Sequence, residues 1–483
     1  MNKQIEEKFL TENAPALPQS AIAVLPSKII NTEKDCRKFL DLADSVIVNL
    51  SRNKQIIVRP TSASRLFDIP YDPTDVGFTL CVDYVVDSRV EQTGEQIRAT
   101  AQLLRVLDGR LLWKEEYVKH SSDIALIESA ISNQVMRTLG LHQGDESELS
   151  YLHHTNKPEI YRKFKLGRYF FNESRFRRAI WQFNKILEID KNCVPAIVSL
   201  AQCYLFLGIY NDATSLKAVS PEAAPPEAFF ALASKWARIA AEKDNSLADV
   251  HAVLGYTEMF KRNWSGAESE FLRALALSPN VTAHQGAAHL YTALRRFDEA
   301  QEEIEQALEI DPFSPLINLV KGFVLFYAGK HDESLEQFRY TVTLAPRSHA
   351  AHYGAALAAS QQGEFESALQ STQKAIVYSN NDGQKRALKA YLLAMLGEKD
   401  KAQEELEKLN KEMAKSYVSP YHLAAIFTAL GERDQAFSYL EKTLTIKDQW
   451  LVLLRDDPRF VTLHNDPKYN RLIQRIGFPP MRE

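Results

Sequence analysis

Several features that commonly indicate a function are scarce in this chain of 483 residues. It contains only four cysteines, Cys36, Cys81, Cys193 and Cys203, and no two of them form a C-x-x-C pair. Scattered cysteines argue against a disulfide framework or a zinc site and favour reduced thiols in a cytoplasmic protein. The formal net charge is −4, so the charge balance gives no reason to expect non-specific binding to nucleic acids or membranes.

Targeting signals and long apolar runs are also missing from the sequence. The N-terminal stretch MNKQIEEKFLTENAP is polar and has no apolar core of the kind found in signal peptides. The longest apolar run, residues 316–329, is interrupted by Lys321 and is too short to span a bilayer. We therefore expect a cytoplasmic protein without a membrane anchor.

The sequence contains none of the common enzyme motifs. It has no G-x-x-x-x-G-K-[ST], G-x-G-x-x-G, H-E-x-x-H or G-x-S-x-G motif. We therefore expect no catalytic residues, no cofactor and no metal site, and a chain that is not an enzyme.

A regular spacing of small residues organises the second half of the chain. Small residues recur every 33 or 34 positions, and another small residue precedes most of them by twelve. The later members are Ala233, Ala267, Ala300, Ser334, Ala368, Ala402 and Ala436, and the earlier ones are Gly255, Ala288, Gly322, Ala356, Ala390 and Ala424, with Ala201 serving an expanded repeat. Two helices of about fourteen residues joined by a tight turn explain this period, with the small residues where the helices approach most closely. The pattern resembles a tetratricopeptide repeat (TPR) array.

The repeat register also interprets four histidines that might suggest a metal site. His251, His284 and His352 each lie four residues before the first small residue of a repeat, and His349 lies nearby. A position used in the same way in several repeats is more typical of packing than of metal binding. We therefore predict a structural role for these histidines.

The same register selects residues that would line the concave side of the array. These positions lie three before and one after the first small residue, because one face of each first helix lines that surface. They include Phe164, Leu319 and Leu357, and the predicted partner-binding groove consists of Arg168, Tyr256, Gln285, His289, Phe323, Tyr353, Tyr391 and Tyr421. Aromatic side chains in a groove suit a peptide or helix ligand. The alternative is that these rings fill a tightly wound core.

The segment 20–141 is predicted to form a small mixed α/β domain. Apolar, β-branched runs predict strands at 20–25 and 55–59, with a helix between them at 33–52. A short helix at 73–80 precedes three strands at 83–91, 96–107 and 111–118, and Asp108-Gly109 is typical of a two-residue hairpin turn. A last amphipathic helix, capped by Asp123, extends to Leu139. This alternation indicates a mixed sheet with helices on one or both faces.

Several short motifs in this segment resemble the TolB amino-terminal-like domain that precedes TPR arrays in bacterial signalling proteins. They are residues 22–26 (IAVLP), 59–62 (RPTS), 82–85 (VDYV), 98–102 (RATAQ), 112–117 (LWKEEY) and 123–124. The resemblance implies the sensory or interaction half of a bacterial transcription or signalling regulator. In that family a winged-helix, cyclase or kinase domain usually precedes this segment. Here residues 1–19 resemble the linker after a winged helix, so we expect a truncated or separately encoded half that does not bind DNA directly.

Together these patterns predict an α+β multidomain protein in which a small α/β domain is followed by an all-α TPR solenoid. The predicted divisions are a leader (1–19), the α/β domain (20–141), a linker (142–156), the array (157–449) with an insertion at about 209–226, and C-terminal capping helices (450–483). The predicted function is a non-catalytic protein-interaction scaffold. An assembly scaffold for an envelope or secretion complex, and a nucleotide-binding or enzymatic α/β domain, are the alternatives.

Overall fold

A computed structural model describes residues 20–30, 41–51, 53, 55–59, 72–120, 123–141, 158–172, 175–210, 226–278, 280–379, 382–412 and 418–480. The chain divides into two compact units, residues 1–153 and 154–483. The predicted leader, the start of the 33–52 helix, the linker and most of the predicted insertion lie outside the described residues. Among those described, no helix is long and apolar enough to cross a bilayer.

The first unit contains a six-stranded mixed sheet. Its strands are β1 (Ser20–Val24), β2 (Lys28–Ile30), β3 (Ile56–Arg59), β4 (Tyr84–Thr93), β5 (Gln96–Arg105) and β6 (Arg110–His120). The strand order is β3-β1-β4-β5-β6, and β2 also pairs with β4. Pairing is parallel among β1 to β4 and antiparallel from β4 to β6, so the predicted mixed sheet is confirmed. The short strand β2 was not predicted.

Helices α1 (Asp41–Leu50), α2 (Pro73–Thr79) and α3 (Ile124–Thr138) complete this unit. The apolar residues of α1 and α3 form one core with the strands, in which Val46, Ile127, Ile131 and Val135 are fully buried. Asp72 caps α2 by accepting hydrogen bonds from the Thr74 and Asp75 backbone amides. Asp123 is the N-cap residue of α3 as predicted, but its side chain makes no cap hydrogen bond.

The predicted two-residue turn at Asp108-Gly109 is also wrong. Arg105 pairs directly with Arg110, which leaves a four-residue connection between β5 and β6. The Val106 amide donates to the Asp83 carbonyl at 2.8 Å, which draws the chain out of the hairpin after residue 105. The two-residue turn is instead Gly94-Glu95, between the paired residues Thr93 and Gln96, and Gly94 has a positive φ of 62°.

Antiparallel helix pairs build the described part of the second unit, as the repeat period predicts. The first helices are α4 (Pro158–Asn172), α6 (Val194–Tyr210), α8 (Ala248–Phe260), α10 (Val281–Ala293), α12 (Pro315–Tyr327), α14 (His349–Gln361), α16 (Gly383–Met395) and α18 (Pro420–Leu430). The second helices are α5 (Phe176–Ile189), α7 (Pro226–Lys243), α9 (Trp264–Leu277), α11 (Phe297–Ile310), α13 (His331–Leu344), α15 (Phe365–Tyr378), α17 (Lys399–Glu412) and α19 (Arg433–Thr445).

The small residues lie in the seams between these helices. Ala267, Ala300, Ala368 and Ala402 are fully buried, and this confirms the predicted register. The tightest seams surround Phe271 and Phe338. A Cβ atom added at Gly255 or Gly286 would lie within 3.0 Å of the Phe271 ring, and Gly322 and Gly354 enclose Phe338 in the same way. Each ring therefore packs against the backbone of two successive first helices.

The histidine position predicted to be structural forms a repeated polar bridge. His251 Nδ1 lies 2.6 Å from Glu270 and His284 Nδ1 lies 2.7 Å from Glu303, which in each case joins the two helices of one pair. His352 Nε2 instead contacts the Pro346 carbonyl at 3.0 Å. In one repeat Asn318 occupies this position. It contacts Gln337 on the second helix of its pair, and it also donates to the Pro312 carbonyl that precedes its own helix. Among the described residues, no group of three or more ligand-type side chains is arranged to hold a metal.

A single substitution tests the seam around Phe271. Replacing glycine by alanine inside an exposed helix typically stabilises a protein by about 0.5–1 kcal/mol. We expect Gly286→Ala to have the opposite effect and to lower the free energy of unfolding by about 1–3 kcal/mol, because the new methyl group would crowd the Phe271 ring. Chemical denaturation measures this free energy of unfolding.

The smaller side chain in Phe271→Leu provides the control. The double variant Gly286→Ala/Phe271→Leu is expected to be more stable than the sum of the two single effects predicts, because leucine leaves room for the methyl group. Stabilisation by Gly286→Ala alone would show that the seam is open.

Candidate functional site

The chain after the last repeat folds back along the array. Residues 448–480, called here the C-terminal segment, contain two 3-10 helices (Gln449–Asp456 and Pro458–Leu463) and α20 (Pro467–Ile476). Gln449 Nε2 donates to the Ile209 carbonyl on α6 at 3.3 Å, and Arg455 donates to the Ala293 carbonyl at the end of α10 at 3.0 Å. The segment therefore contacts helix pairs that precede it by more than 150 residues.

The end of the C-terminal segment is anchored on Trp264 at the start of α9. The Trp264 indole donates to the Gly477 carbonyl at 2.8 Å, and its ring stacks on Phe478 with centroids 5.3 Å apart. The guanidinium group of Arg455 packs on the Phe478 ring, 4.4 Å from its centroid. The segment also covers α19, where Arg475 pairs with Glu441 at 2.7 Å. It thus covers the last repeat, as a terminal cap does, and in addition packs on earlier repeats.

A buried ion pair holds the middle of the C-terminal segment. Arg459 and Asp457 lie 2.6 Å apart, and their side chains are 2% and 0% exposed. The Tyr421 hydroxyl donates to the same carboxylate at 2.7 Å, and the guanidinium group lies 5.5 Å from the centre of the Tyr421 ring. Burial and the Asp457 carboxylate raise the pKa of Tyr421 well above its usual value, so this phenol keeps its proton and acts as the donor.

An apolar cleft of about 190 Å³ lies between the C-terminal segment and the first helices of the array. The array contributes residues from α6, α8, α10, α12, α14 and α16, and the segment contributes Gln449, Trp450, Val452 and Leu453. The cleft thus lies on the side of the array that the repeat register assigns to the partner-binding groove. Residues of both the array and the C-terminal segment therefore form the cleft.

Five of the eight predicted groove residues line this cleft, namely Tyr256, Gln285, His289, Phe323 and Tyr353. Phe323 and His289 are partly exposed, whereas Gln285 and Tyr353 are only 4% and 3% exposed. The Tyr256 hydroxyl contacts His289 Nδ1 at 3.3 Å, which links two successive first helices.

The other three predicted groove residues lie elsewhere. Arg168 donates to Gln202 at 2.9 Å and stacks on Phe171. Tyr391 and Tyr421 are buried at 4% and 0% exposure, and Tyr421 is held by Asp457 of the C-terminal segment. In this arrangement these two tyrosines belong to the core, which was the alternative interpretation of the aromatic pattern.

Two histidines near the cleft are held in the neutral form. Burial lowers the pKa of His289 to about 4. Burial, with the positive charges of Arg459 and Lys385, lowers the pKa of His422 well below its usual value. The His422 ring packs against Trp450, with centroids 4.9 Å apart, and neither of its nitrogens has a hydrogen-bond partner among the described residues.

The contribution of the C-terminal segment to the cleft was missed from the sequence. Its only signal is the apolar run WLVLL at residues 450–454, which follows the end of the repeat period. That run indicates a buried face, but the repeat pattern gives no information on which earlier helices it contacts.

Comparison with known families agrees with this two-part architecture. Residues 18–134 match the model described as HilA/YgeH-like transcriptional regulator, second domain. Two tetratricopeptide repeat models match residues 281–314 and 319–383. A regulator-like domain and TPR repeats are therefore present in one chain. The resemblance of the first unit to the TolB amino-terminal-like domain stays a prediction. No curated protein matches the sequence.

Several solved structures are similar to parts of the chain. A monomeric mutant of IFIT1 with Gppp-AAAA is 15% identical over 74% of this chain and 86% of its own, with a TM-score of 0.43. PilF from Pseudomonas aeruginosa is 18% identical over 42% and 92%, with a TM-score of 0.33. The pilus biogenesis factor PilW is 19% identical over 47% and 98%, with a TM-score of 0.34. At this level of similarity these neighbours do not bear on what this chain binds.

The buried ion pair predicts a large effect of one substitution. Arg459→Met leaves the Asp457 carboxylate buried without its counter-ion, so we expect the free energy of unfolding to fall by about 3–5 kcal/mol. The matched control is Arg475→Met, which breaks an exposed ion pair in the same segment and should cost no more than about 1 kcal/mol. Chemical denaturation followed by tryptophan fluorescence compares the two, and equal effects would show that the pair is not buried.

The neutral histidines predict a loss of stability in mild acid. The unfolded chain binds protons on these histidines near pH 6.5, whereas the folded protein does so only well below that value. Stability is therefore complete above pH 6.5 and falls toward pH 4, by about 1 kcal/mol per pH unit for each histidine that stays neutral.

His422→Leu should reduce this pH dependence of the unfolding free energy between pH 6.5 and 5. His120→Gln, at an exposed position in the first unit, should leave it unchanged. An unaltered slope in His422→Leu would mean that the histidine is accessible to protons in the folded state.

Proposed function

We propose that this protein is a non-catalytic interaction scaffold, the sensory or interaction half of a bacterial transcription or signalling regulator. In this proposal the inner side of the TPR array binds a peptide or helix of a partner protein, in the cytoplasm. The observation that carries the proposal is the presence of aromatic side chains from three repeats, Tyr256, Phe323 and Tyr353, around one cleft. Aromatic rings supply large contact areas at low entropic cost and are frequent anchors of protein interfaces.

The regulatory part of the proposal is supported by the match of residues 18–134 to a transcriptional regulator domain. TPR repeats are typical of scaffolds that bind other proteins, and the described inner surface offers a partner two partly exposed rings, Phe323 and His289. Of the predicted groove residues, we therefore propose these two as the first contacts of a partner. The roles of Arg168, Tyr391 and Tyr421 would require movement of the segments that now contact them.

Site-specific photo-crosslinking of the full chain tests this proposal. A photoreactive residue at position 323, introduced in the source organism, is expected to capture a specific partner. The same group at position 272 is the control, because Leu272 is 52% exposed on the second helix α9 and lies outside the cleft.

The captured partner is then tested with purified proteins. Phe323→Ala should weaken its binding at least tenfold, the usual size for an interface anchor, and Leu272→Ala should leave it unchanged. Equal binding by both variants, or capture from position 272 alone, would contradict the proposed surface. A partner from an envelope or secretion complex would replace the regulatory role with that of an assembly scaffold.

A further inference from the structure

Three residues that line the cleft each carry a buried polar atom without a hydrogen-bond partner among the described residues. The atoms are Gln285 Nε2 on α10, the Tyr353 hydroxyl on α14 and Gln449 Oε1 of the C-terminal segment. The three residues are 4%, 3% and 8% exposed. A buried polar atom without a partner typically costs about 1–3 kcal/mol, so three of them in residues around one cleft point to a site that a ligand completes.

The walls of the cleft are mainly apolar and include several aromatic rings. Phe260, Phe323 and Tyr327 come from the array, and Trp450 comes from the C-terminal segment. The space between them is about 190 Å³, and an engineered apolar cavity of about 150 Å³ in another protein takes up benzene. A ligand of one aromatic ring or two fused rings therefore fits the available volume.

Among the described lining residues, Lys385 is the one Lys, Arg, Asp or Glu side chain, and its charge is already paired. Lys385 at the edge of the cleft is paired with Asp382 at 3.0 Å, and both side chains are only 6% exposed. His289 is neutral at physiological pH, since burial lowers its pKa to about 4. A charged ligand would lose its hydration here without gaining a counter-ion.

We propose that the cleft between the TPR array and the C-terminal segment is a binding site for a neutral aromatic small molecule that carries a hydroxyl group. The hydroxyl group both accepts and donates a hydrogen bond, which matches the Gln285 amide as donor and the Gln449 amide oxygen as acceptor. The Tyr353 hydroxyl supplies the third polar contact. The ring of the ligand stacks among the aromatic rings of the walls. Because Gln449 and Trp450 belong to the C-terminal segment, the ligand would also bind that segment to the array.

Isothermal titration calorimetry of the purified full chain with 2-naphthol tests this proposal. We expect a Kd on the order of 10–100 μM for a ligand of this size. Two matched probes separate the contributions of the ring and the polar group. Naphthalene lacks the hydroxyl group and should bind at least tenfold more weakly, and 2-naphthoate should bind more weakly still because it is charged.

Two variants locate the site without relying on its volume. Tyr353→Phe removes only the unpartnered hydroxyl group and is expected to fold normally, with an unchanged or higher Tm. It should weaken 2-naphthol about five- to tenfold while leaving naphthalene unaffected, and Gln285→Leu should act in the same direction. Tyr340→Phe is the matched control, because Tyr340 is 42% exposed on α13 and lies outside the cleft.

Absence of 2-naphthol binding at 1 mM would overturn the proposal. Equal affinities of the wild-type protein, Tyr353→Phe and Gln285→Leu would also overturn it, because binding would then occur elsewhere. Tighter binding of 2-naphthoate than of 2-naphthol would overturn the neutral character of the ligand. These measurements need no partner protein, so their outcome is independent of the proposed interaction function.

Discussion

The close approach of helix backbones to phenylalanine rings is the contact on which the array depends. Phe271 packs between Gly255 and Gly286, and Phe338 packs between Gly322 and Gly354. Each ring comes from a second helix and touches the first helix of its own pair and of the next pair. Because glycine has no Cβ atom, three helices meet around one side chain. This contact sets the spacing of the first helices, and that spacing in turn sets which side chains reach the inner surface.

The C-terminal segment converts part of this inner surface into a cleft. Its buried Asp457–Arg459 pair forms beneath Tyr421, and its far end stacks on Trp264, more than 200 residues earlier in the chain. These contacts join the end of the chain to repeats that lie much earlier in the sequence. The cost is a group of buried polar atoms, Gln285 Nε2, Tyr353 OH and Gln449 Oε1, that have no partner among the described residues. Buried polar atoms without partners are uncommon in native structures, and these three are the atoms on which the proposed ligand site rests.

The repeat architecture was predictable because the same spacing of small residues recurs in successive repeats. The burial of Ala267, Ala300 and Ala368 follows directly from their spacing. The position of Tyr421 was not predictable in this way, because its partner Asp457 lies outside the repeat period and is used once. The prediction of a two-residue turn at Asp108-Gly109 was wrong for a related reason, since a hydrogen bond of Val106 with Asp83 overrides the local turn preference. Periodic features can thus be deduced from the sequence, whereas single long-range contacts cannot.

Hydrogen–deuterium exchange of the full chain tests most directly whether the array and the C-terminal segment form one folded unit. If they do, the backbone amides of Leu451, Phe460 and Tyr469, which are bonded to carbonyl groups within the segment, should exchange as slowly as those in helices α8 to α12. They should open in the same cooperative transition under increasing denaturant. Rapid exchange of the segment while these helices stay protected would contradict the account, because the inner surface would then be open.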